Sequence, residues 1–396
     1  MKTIMPEDSH IVHDIEQTFK TKYNSSPSLF CSPGRINLIG EHTDYNNGLV
    51  LPAAIDKYII LAIAAREDNE VHIFSQDYQD SYITSLTHIQ VSGKLWPDYI
   101  MGVIDQLQKL DKKVGGVNIV FGGNIPQGAG LSSSAAVECA TAYALNSLFG
   151  LDLNSLELAK ISQAAENEFV GVKCGLMDQF ASTFGKENKL IKLDCETYEY
   201  KYIPFDTNDY SLILFDTQVK HSLASSAYNE RRQQCEYGVQ LIQKHHPEVR
   251  SLRQASLEML DKFVKPQDEI TYNRCEYIVR EIKRVEDSCI DLLGANYSQF
   301  GKRMFQTHAG LRDQYEVSCE ELDFLVDHVK DYPEVLGARM MGGGFGGCTI
   351  NLIENKAIDK IADNTAKAYS QTMGKSMKIY PVSIVDGTRM LIKKGE

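Results

Sequence analysis

Two short stretches of this chain concentrate residue types that do chemistry. The first is Gly128-Ala129-Gly130-Leu131-Ser132-Ser133-Ser134, which follows Pro126 and opens an Ala/Leu-rich run. A glycine-rich turn feeding a helix N-terminus presents free backbone N–H groups and the positive end of the helix dipole, and both favour phosphate. The glycines let the backbone bend sharply and approach an anion without a Cβ in the way. The serine hydroxyls add donors, and one could also ligate magnesium. A turn followed by an ordinary helix N-cap uses the same Ser and Gly residues, so the loop alone admits both readings.

The second stretch runs from Pro33 to Tyr45 and holds Arg35, Asn37, Glu41, His42, Asp44 and Tyr45 between glycines. Such a set suits a polyhydroxylated ligand: carboxylates accept from sugar hydroxyls, and an imidazole donates or accepts as its tautomer dictates. A solvated polar loop is the alternative, although such a loop does not need Leu38-Ile39 among its charges. A late glycine run, Gly342 to Gly347, formally matches GxGxxG but precedes the strand-like Cys-Thr-Ile-Asn-Leu-Ile. Dinucleotide binding requires strand, loop and then helix, so that reading is set aside. No GxxxxGK[ST] occurs, which disfavours a P-loop fold.

The elements that must position these residues alternate in period. Strand-like runs lie at Leu49 to Pro52, Tyr58 to Ala65, Val71 to Ser75 and Gly116 to Phe121. Helices are expected over the first twenty or so residues, ending at a Ser/Pro turn, over Met101 to Lys109 and over Ser132 to Leu148. Another spans Asn154 to Phe169, with Asn154 and Glu157 at capping-box spacing and Leu158, Ile161, Ala165 and Phe169 on one stripe. Strands at Leu190 to Leu193 and Ser211 to Asp216 precede a mainly helical segment from Ser226 to about Lys330. The chain then closes with a strand, a helix and a strand. Strands with helices in both halves predict an α+β protein of two lobes, residues 1–205 and 206–396, with the boundary near 205.

The length of 396 residues fits two domains at about 100–200 residues each. The balance of 41 basic and 53 acidic residues, net −12, argues against broad nucleic-acid or anionic-membrane binding, which needs a basic surface. Nine scattered cysteines without a CxxC pair read as reduced thiols. The N-terminus lacks the apolar core of a signal peptide and no run is long and apolar enough to span a membrane. A cytoplasmic protein is therefore expected.

Three motifs in order carry a resemblance. Gly34-Arg35-Ile36-Asn37-Leu38-Ile39-Gly40-Glu41-His42-Thr43-Asp44-Tyr45 resembles the galactokinase signature within the GHMP small-molecule kinase family. Gly123 to Ala135 is similar to that family's phosphate-binding motif, and Met340 to Gly347 resembles its third, glycine-rich motif. The resemblance runs from about Ser32 to the C-terminal helix. It implies the two-lobed GHMP kinase fold, each lobe a mixed sheet with helices, and an active site in the cleft between them. It also implies transfer of the ATP γ-phosphate to the C1 hydroxyl of galactose, the kinase step of galactose catabolism, with Mg²⁺ as cofactor.

By the same resemblance, Asp178 in Cys174-Gly175-Leu176-Met177-Asp178-Gln179 is the catalytic base. Arg35 stabilises charge on the transferred phosphoryl group. Glu41, His42, Thr43, Asp44, Asp178 and Tyr228 bind the sugar. Ser75 and the loop Gly128, Ala129, Gly130, Leu131, Ser132, Ser133 and Ser134 bind ATP, and Ser134 and Glu166 hold the metal. On helical pattern alone Glu166 would read as a surface acid. Gly342 to Gly347 packs beside the phosphate loop or the substrate, or forms a tight structural bend; both stay open. A kinase for N-acetylgalactosamine or L-arabinose is the nearest alternative. The intact Gly-Leu-Ser-Ser-Ser-Ala-Ala string argues against a non-catalytic sugar sensor. Galactose and ATP are the expected partners of a monomer, without nucleic acid or membrane.

Overall fold

Alternation and Ala-rich periodicity organise the first half around one sheet. The computed structural model describes residues 9–205, 208–219 and 224–391, so the first eight residues of the expected N-terminal helix lie outside it. Helix α1 (Ser9–Tyr23) leads into β1 (Ser28–Asn37), then β2 (Leu49–Val50), β3 (Pro52–Ala65), β4 (Glu70–Ser75) and β5 (Asp80–Ser85). There follow α2 (Asp98–Lys109), β6 (Val117–Gly123), α3 (Ser133–Phe149), α4 (Ser155–Ala164), α5 (Met177–Phe184), β7 (Lys189–Asp194) and β8 (Tyr200–Pro204). The main sheet has the order β1-β3-β6-β4-β5 with one further strand outside β1, while β2, β7 and β8 form a small second sheet.

The main sheet is buried on both faces. Ile15 and Phe19 of α1 pack on Leu29, Ile60 and Val120 on one side. On the other side α3 crosses β1 and β3. This helix is apolar nearly all round, the pattern of a buried helix, and Ala135, Ala136, Ala140 and Ala144 are fully buried where neighbouring elements approach. Its start is unusual. Ser132, at the N-cap, has the left-handed φ of 57° and its side chain does not cap the helix. The capping box on α4 is present with both reciprocal bonds. The expected helix to Phe169 nevertheless changes at Ala165, where the chain widens into a π-turn, Ala165–Val170.

The second half builds a four-stranded sheet from β9 (Tyr210–Asp216), and the helices α6 (Ala224–Gln243), α7 (Leu257–Met259), α8 (Glu269–Leu293), α9 (Tyr297–Asp313) and α10 (Glu320–Val329) follow. It closes with β10 (Val335–Met340), β11 (Cys348–Glu354), α11 (Ile358–Met373), β12 (Lys378–Val382) and β13 (Arg389–Leu391). The sheet order is β10-β11-β9-β12. Residues of β9 alternate between two cores: Ile213 and Phe215 pack with Leu325 and Ile361, and Leu212 and Leu214 join the larger core that also contains Tyr277 and Ile36. That larger core runs without a break from one sheet to the other.

Two strands matter for the site. β1 occupies residues that read as part of a polar cluster; Phe30, Cys31 and Ile36 bury it in the centre of the molecule. β13 returns to the first sheet and pairs antiparallel with β1, Leu29 opposite Leu391. A simple cut at residue 205 therefore leaves the last strand with the wrong lobe. The segment after β12 is tied to β3 on its way back: the Asp56 amide donates to the Ser383 carbonyl and the Val385 amide to the Ala54 carbonyl.

Candidate active site

The register of β1 against β3 shifts between Pro33 and Arg35. This irregularity brings the Arg35 amide to the Leu131 carbonyl at 3.1 Å, joining the strand to the Gly-rich loop. The Arg35 side chain completes the junction. Its Nε and Nη2 donate to the two oxygens of Asp178, each at 2.7 Å, and its Nη1 donates to the Gly130 carbonyl at 2.6 Å. A bidentate fork of this kind fixes both direction and distance. Ser132 Oγ donates to Asp178 Oδ2 at 2.5 Å. Its left-handed backbone aims the hydroxyl at Asp178 instead of at the helix, so the N-cap alternative does not describe this residue. Burial opposes the Arg35 charge, but Asp178, Glu41 and Asp44 outweigh it and the guanidinium is held more firmly protonated.

A cavity of about 230 Å³ lies on one side of this pair, lined by Arg35, Glu41, His42, Asp44, Asp178 and Tyr228, among others. That volume is below the ~300–1,000 Å³ typical of drug-sized ligands and suits one small polar molecule. A second cavity of about 260 Å³ lies on the other side, lined by Arg35, Gly128, Gly130, Leu131, Ser132, Ser133, Ser134, Gly342 and Gly343. Arg35 faces both. The glycine run is at once a tight bend and a wall: Gly342, Gly344 and Gly347 have φ of 84°, 90° and 79°, and a Cβ on Gly347 would stand 3.3 Å from the Ala129 carbonyl. Both alternatives for that run therefore hold.

The polar lining is held from behind. Glu41 is 2% exposed; its Oε1 accepts from Arg339 Nη2 at 2.8 Å and from the Gly342 amide at 2.7 Å, and its Oε2 accepts from Asn37 at 2.9 Å. Burial would raise its pKa, but Arg339 and Arg35 more than compensate and it is lowered. Asp44 makes no such ion pair, and the influence of Arg35 on it is outweighed. Burial, reinforced by Asp178, pushes its pKa up to about 7. A Cβ on residue 175 would meet Asp44 Oδ2 at 2.1 Å, so only glycine fits there. His42 is driven down to about 4 chiefly by burial and is a neutral imidazole. Its Nδ1 lies 2.8 Å from Tyr45 Oη, which in turn lies 2.8 Å from Tyr315 Oη, while its Nε2 has no hydrogen-bond partner among the described residues. The Tyr228 ring, from α6, stands 5.3 Å from the His42 ring and supplies the apolar wall.

Glu166 sits in the π-turn after α4, a feature often found at functional sites. The turn carries it inward: it is 7% exposed and lines the smaller cavity, so the surface-acid reading fails. Its Oε2 accepts from Gln179 Nε2 at 2.7 Å, and Ser134 is also a hydrogen-bond neighbour. Burial, then Asp178, raises its pKa to about 7. Oxygen donors crowded without a cation of their own fit a hard divalent ion such as Mg²⁺. No group of three or more His, Cys, Asp or Glu among the described residues could hold a metal alone, so the remaining ligands would have to come from a phosphate ligand and water.

Three of the expected ligand residues do not line either cavity. Thr43 is fully buried and gives its hydroxyl to the Gly40 and Leu49 carbonyls at 2.9 and 2.6 Å, so it shapes the turn and does not reach the cavity. Ser75 is fully buried at the end of β4 and its Oγ accepts from the Tyr78 amide at 3.4 Å; it lines neither cavity. Ala129 turns its methyl into the core and is absent from the cavity wall. Arg339, Tyr45 and Tyr315 were not expected as supports. Arg339 had a signal, a charge inside the apolar strand pattern Val-Leu-Gly-Ala-Arg-Met; a charge buried in a strand demands a partner.

Known proteins share these features. Residues 17–65 match the galactokinase galactose-binding signature, 98–186 the GHMP kinases N-terminal domain and 290–371 the GHMP kinases C-terminal domain. A galactokinase of Thermotoga neapolitana is 42% identical over 360 residues, 91% of this chain and 99% of that one. A galactokinase of Fusobacterium nucleatum is 38% identical, covering 96% and 98%. The crystal structure of Lactococcus lactis galactokinase complexed with galactose superposes with a TM-score of 0.93 at 33% identity, covering 96% of this chain and 100% of that one. Methanococcus jannaschii mevalonate kinase, at 20% identity and a TM-score of 0.63, shares the fold. With three family signatures in order and such coverage by its relatives, the chain belongs to the galactokinase family of GHMP kinases.

Proposed function

We propose that this chain transfers the γ-phosphate of ATP to the C1 hydroxyl of α-D-galactose, giving galactose 1-phosphate and ADP. The observation that carries this reading is the Arg35–Asp178 pair, set between a sugar-sized cavity and a Gly-rich anion cavity with Arg35 facing both. Galactose occupies the cavity lined by Glu41, His42, Asp44 and Tyr228, and the ATP phosphates lie along Gly128 to Ser134. The C1 oxygen attacks Pγ, the bond from Pγ to the ADP oxygen breaks, and the hydroxyl proton passes to Asp178. A carboxylate is a weak base toward a sugar hydroxyl until the new P–O bond acidifies it, so proton transfer follows bond formation. Arg35 donates to charge that builds on the transferring group, the dominant task in phosphoryl transfer.

Ser134 and Glu166 would hold Mg²⁺ with the nucleotide supplying further oxygens, and the ion would neutralise charge on the β- and γ-phosphates. The lobes meet near residue 205, with residues 384–391 assigned to the first. We read the protein as a cytoplasmic monomer with reduced thiols; all nine cysteines are free, and no described helix is long and apolar enough to cross a membrane. An ADP-release assay across galactose, N-acetylgalactosamine, glucose and L-arabinose tests the proposal. Galactose should give the highest kcat/KM; a higher value for another sugar would overturn the substrate assignment.

A further inference from the structure

Helix α3 carries a single charged residue, Glu138, and that residue is fully buried. Its Oε2 accepts from Gln179 Nε2 at 3.0 Å, and the same nitrogen donates to Glu166 Oε2 at 2.7 Å. Gln179 is also fully buried. Both hydrogens of one carboxamide are therefore consumed, one by each glutamate. Two atoms remain without partners among the described residues, Glu138 Oε1 and Gln179 Oε1. They belong to the two groups that already share a hydrogen bond, and leaving a buried acceptor without a donor is costly. A proton on Glu138 Oε1 would be the missing donor, with Gln179 Oε1 as its acceptor. The acid and the amide then exchange two hydrogen bonds, and neither orphan remains.

We propose that Glu138 is a neutral carboxylic acid that locks the Gln179 side chain and so aims its second N–H at Glu166, making Glu138 and Gln179 positioning residues behind the candidate metal site. The electrostatics agree. Burial holds the Glu138 carboxyl well above the usual carboxylate range. A carboxylate in this place would be a buried charge without a partner cation of its own. The carboxamide serves where a Lys would not, because it orients Glu166 without neutralising it. The acid–amide pair stands on the hydrogen bonds alone; its consequence for metal binding rests on the reading of Glu166 given above.

Two measurements separate these claims. The infrared difference spectrum of wild type minus Glu138→Gln should show the carbonyl band of a protonated acid, shifting in D₂O; carboxylate bands in its place would overturn the proposal. Mn²⁺ affinity in the presence of ADP, read by electron paramagnetic resonance, tests the consequence. Glu138→Gln can form an amide–amide pair and should stay within about twofold of wild type, whereas Glu138→Ala should lose about tenfold or more, as outer-shell partners of metal ligands do. Equal loss in both variants would show that the charge of Glu138 matters, and no loss in either would remove it from the site; both overturn the proposal. If Glu138→Ala does not fold, the infrared band and Glu138→Gln decide. Glu166→Gln is the control: unchanged Mn²⁺ affinity there would defeat the metal-ligand reading while leaving the acid–amide pair standing on its band.

Discussion

Two arginine–carboxylate pairs frame the active site, and they differ in what remains free. Arg339 and Glu41 are sealed, with side-chain exposures of 0% and 2%. Four of the five N–H groups of Arg339 are used: it donates to the carbonyls of Leu38, Asn37 and Met340 as well as to Glu41. Arg35 and Asp178 make the better fork, yet Asp178 is 23% exposed and opens onto the sugar-sized cavity. The same chemical pair thus serves as a clamp between β10 and the β1 turn in one place and as a reactive group in the other. Hydrogen-bond capacity left over, together with access to a cavity, separates the two roles. Geometry of the pair itself does not.

The largest effect should break the open pair. Asp178→Asn keeps the shape and removes the proton acceptor, so kcat should fall about 10²–10⁴-fold while calorimetry still detects galactose binding. Near-normal turnover would take Asp178 out of the mechanism.

The sealed pair should answer on stability. Arg339→Met leaves Glu41 buried and unpaired, and denaturant unfolding should show a loss of about 3–5 kcal/mol. Arg35→Ala should cost less stability, because Asp178 keeps access to water, and should act mostly on kcat. If the two variants exchanged these signatures, the division into clamp and reactive pair would be wrong.

The smallest effect concerns Asp44, a carboxylate of the lining without an ion pair of either kind. Its pKa is raised to about 7 by burial and then by Asp178, so the folded protein binds this proton more tightly than the unfolded chain. The associated stability is present below about pH 4 and is lost as pH rises toward 7. Asp44→Asn cannot ionise and should escape that loss. Its stability relative to wild type should grow between pH 4 and 7 by about 1–4 kcal/mol and then level off, while galactose affinity drops. A difference independent of pH would mean that Asp44 is ionised in the folded protein with an ordinary pKa.

Much of this site could be read from the chain. The Gly128 to Ser134 loop precedes a helix, as its glycines and serines require, and the Asn154–Glu157 capping box forms because both partners lie three residues apart. Local rules reached less far at Glu166, where a regular helix was expected and a π-turn rotates the acid inward. Strand β1 was hidden because its polar residues serve the site, which masks the alternation that marks a strand. Thr43 and Ser75 have the right types for ligand contact, but the Thr43 hydroxyl is given to backbone carbonyls and Ser75 is buried away from both cavities.

By itself the sequence determined the inventory: which donors, acids and bends exist, and where short-range signals start and stop elements. The tertiary structure decided which of them face a cavity. Arg339 reaches Glu41 across 298 positions and Arg35 reaches Asp178 across 143. Whether a charge ends sealed or open depends on packing between such distant segments. Burial of the surrounding apolar core, not the identity of the pair, determines how much water each charge keeps.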